Sequence, residues 1–151
     1  MKRFAFRLER LLQLREAAER AQARQLAGAL RQEEADREAV RESEIRLAEA
    51  RAQLVTTPRE LSQAGTLRNL ELAIDALADQ AREWSQTHEQ SLERLETERH
   101  EFERARMARR VIERLREHRR ETWGDELTRH EQGESDEHGL QQSRSKGREV
   151  I

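Results

Sequence analysis

The sequence contains no cysteine, no tyrosine and a single proline, and only 3% of its 151 residues are aromatic. Without cysteine, the chain can form neither disulfides nor thiolate metal sites. No apolar run approaches the roughly 18 residues of a membrane span, and the N-terminus is too charged for the apolar region of a signal peptide. The chain has too few large apolar side chains to line a deep catalytic pocket. We therefore predict a cytoplasmic protein that is not an enzyme and uses no cofactor.

Charged residues, in contrast, make up 40% of the chain, and hydrophobic residues make up 34%. A compact globular domain is usually closer to half apolar. The 29 basic and 31 acidic residues nearly cancel, so the net charge of −2 gives no overall reason to expect nucleic acid or anionic membrane as a partner. This composition favours a long, thin apolar seam between charged helices.

A heptad repeat from Leu67 to Ala105 indicates the architecture. Nine of its twelve a and d positions are apolar, and His88, Ser91 and Glu98 are the exceptions. A helix with this pattern cannot bury its apolar stripe alone, so it must pack along another helix. The a positions are Leu67, Ile74, Ala81, His88, Leu95 and Phe102, and the d positions are Leu70, Leu77, Trp84, Ser91, Glu98 and Ala105.

A weaker, alanine-rich heptad repeat runs from residue 4 to 54, through Ala5, Leu12 and Leu26 to Leu54. Between the repeats, Thr57-Pro58 has the signals of a short helical turn, and Thr66 is a candidate cap for the next helix. We predict an all-α fold, a long antiparallel two-helix coiled-coil hairpin. Its helices span residues 4–54 and 67–123, its connection spans 55–66, and a polar tail, 124–151, is disordered. Beyond Phe102, the apolar spacing through Ala108 and Leu115 predicts a stammer.

The segment from Arg104 to Arg120 carries eight arginines against two glutamates, around an apolar line that includes Ile112 and Leu115. It can be interpreted as a basic end that docks on a partner, as a solvated face, or as a nucleic-acid-binding helix. The run contains no asparagine to read adenine, and the leucine seam has the wrong direction for a forked dimer on DNA. We therefore predict no nucleic-acid partner.

Large apolar residues near the N-terminus point to more than one face of the first turns. One face is expected to pack on the second helix near Leu115, which leaves the others for solvent or a partner. We predict a docking end, or tip, where the two chain ends meet. The five histidines lack metal-site spacing, so we predict no metal site. The N-terminal apolar residues are Phe4, Phe6, Leu8, Leu11, Leu12 and Leu14.

Two groups of residues resemble a known family. The opening pattern, from Phe4-x-Phe6-x-Leu8-Glu9 to Leu14-Arg15-Glu16, resembles the start of flagellar export proteins of the FliJ family. The later Val111-Ile112-Glu113-Arg114-Leu115, Trp123 and Asp136-Glu137 resemble the C-terminal pattern of that family. Chain length, the two-helix layout and the charged character also agree, and the resemblance covers nearly the whole chain.

The resemblance implies a non-enzymatic stalk of the flagellar type III export apparatus, similar to the central stalk of rotary ATP synthases. Its implied partners are the hexameric export ATPase, the export gate membrane protein and export chaperones, at the inner face of the cell membrane. Two alternatives remain: a generic coiled-coil scaffold that dimerises, and an injectisome stalk protein. The residues assigned to the tip that enters the ATPase are Phe4, Leu8, Leu11, Leu12, Arg109, Arg110, Ile112, Leu115 and Arg116.

Overall fold

The structure, a computed structural model, describes residues 3–57 and 64–146, with side chains as far as residue 135. In these ranges the chain forms two α-helices and no strand: α1 spans Glu9–Thr56 and α2 spans Ala64–Lys146. The predicted all-α, two-helix hairpin is confirmed. Neither helix, over the residues described, combines the length and apolarity needed to cross a bilayer.

The two helices contribute to two compact units, which we call the seam unit (Ala18–Ala105) and the terminal unit (Met1–Ala17 with Arg106–Ile151). In the seam unit, Glu33 meets His88, and residues 44–51 of α1 lie beside residues 78–85 of α2. In the terminal unit, Glu9 forms an ion pair with Arg116, and Phe4 packs on Trp123. Within each unit, rising residue numbers on one segment meet falling numbers on the other, so the pairing is antiparallel.

The interior of the seam unit is narrow and partly polar. Ala29 and Leu95 are buried, and so are Asp36, Ser43 and Ser91. The Ser43 hydroxyl donates to the Val40 carbonyl at 2.7 Å, and the Ser91 hydroxyl donates to the His88 carbonyl at 2.9 Å. These hydroxyls are satisfied within their own helices, so they can be buried without a partner across the seam.

The first helix begins later than predicted, at Glu9 rather than at residue 4. Residues 3–8 form a non-helical segment, the N-terminal arm, in which alternate side chains are half-buried: Phe4, Phe6 and Leu8. Ala5, which was assigned to the seam, is exposed. The physical reason is that this alternation has the period of two of an extended chain, not the 3.6-residue period of a helix. The Glu9 N–H then donates to the Phe6 carbonyl at 3.1 Å and closes the first turn.

The other ends of the helices also differ from prediction. The Thr57 N–H and hydroxyl both donate to the Gln53 carbonyl, at 3.0 and 2.6 Å, so α1 continues to Thr56. The second helix begins at Ala64, and Thr66 lies inside it rather than capping it. Gly65 has no positive φ and so does not interrupt the helix. The short turn predicted after Thr57-Pro58 lies outside the described residues.

The second helix is also longer than predicted, since it continues past Trp123 to Lys146. Gly124 and Gly133, which lie in the predicted tail, have no positive φ. Glycine costs a helix about 1 kcal/mol relative to alanine, but it does not remove a backbone hydrogen bond as proline does. The Thr128 hydroxyl donates to the Gly124 carbonyl at 3.0 Å, and His130 lies 3.6 Å from Glu134 one turn later. Residues 147–151 of the predicted tail lie outside the described part.

Beyond Phe102, the half-buried side of α2 contains Ala108, which the predicted stammer places there, and also two arginines. Arg109, Ile112 and Arg116 are half-buried at successive a and d positions, whereas Leu115 is exposed. The reason is that arginine can cover a seam with its aliphatic stem while its guanidinium reaches a carboxylate. The apolar spacing was therefore an incomplete guide, because it omitted the two arginines.

Candidate docking surface

All nine residues assigned to the tip lie in the terminal unit. Leu12 is only 1% exposed, so it belongs to the core between the helices and cannot contact a partner. Leu11 and Ile112 are half-buried beside it, and Arg110 is exposed. The assigned residues therefore divide into those that hold the two helices together and those that reach the surface.

Two of the assigned arginines form ion pairs within the unit. Arg109 bonds to Glu113 one turn further along α2, and the side chains of both are mostly buried. Arg116 pairs with Glu9 of α1 at 3.6 Å, and both side chains are substantially exposed. A pair as exposed as the second contributes about 1 kcal/mol at most. Its main effect is to join the start of α1 to α2.

The N-terminal arm forms one wall of a cleft of about 920 Å³ against α2. The rings of Phe4 and Trp123 pack with their centroids 5.9 Å apart and their planes tilted by 54°. Such tilted pairs are a favoured geometry for aromatic side chains. Phe6, Arg119 and Trp123 line the cleft but were not assigned to the tip from the sequence. The two-residue alternation from Phe4 to Leu8 was the signal that could have identified this arm.

Positive charge is concentrated where the N-terminal segment lies beside α2. Residues 3–15 and 106–120 contain eleven arginines and three glutamates, a net charge of +8. The remaining residues contain 18 basic and 28 acidic side chains, a net charge of −10. The near-zero charge of the whole chain therefore hides a strongly basic surface, which attracts and orients a partner of negative potential.

A polar contact joins the two helices in the interior of the seam unit. The His88 ring Nε2 lies 2.9 Å from Glu33 Oε1, and the side chains are only 22% and 12% exposed. The hydrogen bond from His88 lowers the pKa of Glu33 below its ordinary value of 4.5, and the positive charge of Arg37 acts in the same direction. An a-position histidine paired in this way favours one register of the two helices over others.

This shift predicts a specific dependence of stability on pH. The pKa of Glu33 is lower in the folded chain than in the unfolded one, so ionised Glu33 stabilises the fold fully above about pH 4.5. This stabilisation disappears as pH falls through the folded pKa. Thermal unfolding measured between pH 6 and pH 3 is expected to show a smaller loss of stability for Glu33→Gln than for the unmodified chain. The exposed Glu49→Gln is the control. Equal pH dependence in all three proteins would contradict the hydrogen bond between His88 and Glu33.

Among the residues that the structure describes, no group of three or more histidine, aspartate or glutamate side chains could hold a metal ion. The arrangement of the terminal unit, with aromatic and aliphatic side chains beside many guanidinium groups, is instead typical of a protein-docking surface.

Comparison with known proteins gives one match. A family model with the description "Flagellar FliJ protein" matches residues 4–148, which include both helices and the N-terminal arm from Phe4 onward. No curated protein matches the chain, and no solved structure does.

Proposed function

The chain belongs to the flagellar FliJ family, whose members are non-catalytic components of the flagellar type III protein export apparatus, and from this premise we propose that it is the central stalk of the export ATPase. Its terminal unit docks into the hexameric ring, and another part of the chain contacts the export gate membrane protein. The observation that carries the proposal is the net charge of +8 at residues 3–15 and 106–120, beside exposed apolar side chains.

The proposed mechanism is mechanical and allosteric rather than chemical. A single chain inside a ring of identical subunits contacts each of them differently, because the chain lacks the symmetry of the ring. Contacts that differ among the subunits change their nucleotide affinities by the difference in binding free energy. The stalk thereby promotes assembly of the hexamer and stimulates ATP hydrolysis without taking part in the reaction.

The remaining partners follow from the family and are proposed for the chain as a whole. They are the export gate and the export chaperones. We propose a cytoplasmic position at the inner face of the cell membrane, where the chain is held by the apparatus and not by its own insertion. The paired carboxylates and arginines along the exposed faces of the seam unit keep such a chain soluble between its partners.

The test is a titration of the full chain into its cognate export ATPase, in which ATP hydrolysis and hexamer formation are followed together. We expect stimulation that saturates near one chain per hexamer. A chain that is folded and monomeric, as sedimentation would report, but has no effect at any ratio would refute the stalk function. A stable dimer without stimulation would favour the generic scaffold instead.

Charge introduced at the tip is expected to abolish this stimulation. Leu8→Glu and Leu115→Glu each place a carboxylate beside the cleft, and we expect stimulation to fall about tenfold or more, as for a central contact of an interface. Leu8 precedes the start of α1 and Leu115 is 37% exposed, so circular dichroism is expected to show unchanged helix content. The control is Leu72→Glu, since Leu72 is an exposed leucine of the seam unit. Full stimulation by both variants would refute the assignment of the tip.

A further inference from the structure

The terminal unit has an exposed apolar face that its interior does not require. Leu14, Val111 and Leu115 are 62%, 64% and 37% exposed, and Met107 one turn before Val111 is 59% exposed. On α2 these side chains recur every fourth residue, so they form a stripe along one side of the helix. Exposed leucine or valine is ordinary when single, but a stripe of them indicates a contact surface.

Leucines of α1 extend this stripe across the seam. The α1 heptad has Leu12 at an a position, and continuing the α2 heptad places Arg109 at an a position. Leu11 and Leu115 then occupy g positions, and Leu14 and Val111 occupy c positions. In an antiparallel pair the g positions of both helices flank the same side of the seam, with the c positions next to them. The contacts of Glu9 with Arg116 and of Phe4 with Trp123 set the register. They bring Leu11 to the level of Leu115 and Leu14 to the level of Val111.

The carboxylates of the unit lie on the other side of the seam. Between residues 7 and 17 and between 106 and 120 there are four glutamates, and all of them occupy e or b positions: Glu9, Glu16, Glu113 and Glu117. The c and g positions over the same ranges contain no acidic residue. The ion pairs of Glu9 and Glu113 therefore belong to one face, and the apolar stripe belongs to a face without carboxylates.

Arginines border this second face. Arg10 and Arg114 occupy f positions next to the c positions, and Arg7 precedes α1 in the N-terminal arm. None of the three has a carboxylate within 4.0 Å among the residues whose side chains the structure describes. Guanidinium groups with no internal partner can bond to carboxylates of another protein in a bidentate manner, and their stems add apolar area.

We propose that this face, defined by Leu11, Leu14, Val111 and Leu115 with bordering arginines, is the side of the tip that binds the partner. The partner is a protein surface that presents leucine- or phenylalanine-sized side chains together with carboxylates. The inference rests on the proposed function, which identifies that surface as part of the export ATPase. The opposite side of the seam, formed by the e and b positions with the ion pairs of Glu9 and Glu113, is the side that remains in water.

An acidic protein surface fits these observations better than a nucleic acid or a membrane. Phosphate backbones would bind the arginines but leave the leucine and valine side chains in contact with water. A helix that lies in a membrane interface usually presents a longer apolar face than the two turns from Met107 to Leu115. The alternation of apolar groups and arginines over a short distance is typical of protein interfaces.

The chain offers a closely matched test, because Gln13 and Leu14 are adjacent and exposed but lie on different faces. Leu14→Glu and Gln13→Glu make the same change in net charge, so long-range electrostatic attraction changes equally in both. Binding of each full-length variant to the cognate export ATPase is measured by titration calorimetry. We expect about a tenfold or larger rise in Kd for Leu14→Glu and for Val111→Glu, and less than about a twofold change for Gln13→Glu.

Each outcome distinguishes this inference from the proposed function. If the unmodified chain binds the ATPase and Leu14→Glu and Val111→Glu bind equally well, the face is wrong but the stalk function survives. If the unmodified chain does not bind at all, both fail. Vesicles of phosphatidylglycerol and phosphatidylcholine test the membrane: loss of vesicle binding by Leu14→Glu with unchanged ATPase binding would overturn the proposal. Leu14→Met, which keeps the face apolar, is expected to bind as the unmodified chain does.

Discussion

Leu12→Ala is expected to lower the free energy of unfolding by about 2–4 kcal/mol, whereas Leu14→Ala is expected to change it by less than about 0.5 kcal/mol. Leu12 is 1% exposed and Leu14 is 62% exposed. The two substitutions remove the same atoms from the same helix, so their effects on helix propensity are equal and cancel in the comparison. What remains is the loss of buried apolar surface and the cavity that Leu12 leaves between the helices.

Urea unfolding followed by circular dichroism at 222 nm measures both values in the full chain. Leu12 is the largest fully buried side chain among the residues that the structure describes, so its truncation is expected to be among the most costly in the terminal unit. Equal effects of the two substitutions would contradict the packing of Leu12 against α2. They would also remove the basis for treating α1 as one wall of the docking surface.

Asp36→Leu is expected to have the opposite effect and to raise the free energy of unfolding by about 1–3 kcal/mol. Asp36 is 4% exposed at a d position of the seam unit, and it accepts a hydrogen bond of 3.0 Å from Gln32 of its own helix. Burying a carboxyl group requires loss of its hydration, which one amide donor only partly replaces. Leucine is a favoured residue at d, where it packs between side chains of the facing helix.

The control for this substitution is Asp75→Leu, because Asp75 is exposed and its replacement is expected to change stability by less than about 0.5 kcal/mol. A decrease in stability for Asp36→Leu would show that the carboxyl group has a stronger partner than Gln32. We also expect the more stable variant to exchange its backbone amides around Asp36 more slowly.

Much of the fold followed from the sequence, since heptad periodicity is a local property. Leu67, Ile74 and Leu95 are spaced by multiples of seven residues, and a helix with that pattern needs a helical partner wherever it occurs. The single break near Pro58 then allows one reversal of the chain. The concentration of arginine from Arg104 to Arg120 was also evident, because net charge depends on composition and not on conformation.

The N-terminal arm required the tertiary structure. The side chains of Phe4 and Leu8 fit a helical stripe or an extended alternation, and the contact of Phe4 with Trp123, distant in sequence, selects the second. For the same reason Arg109 and Arg116 were not expected in the seam, since only the nearby Glu113 and Glu9 explain how their charged ends are satisfied there.

The amino-acid sequence was therefore sufficient for the number of helices, their antiparallel pairing and the basic end, because periodicity and charge are properties of each segment alone. The structure was needed for what depends on contacts between segments: the extended arm, the arginines in the seam, and the division of the terminal unit into an ion-paired face and an apolar one. That division carries the proposed binding face, and it arises because the antiparallel packing of α1 against α2 places the g and c positions of both helices on one side of the seam.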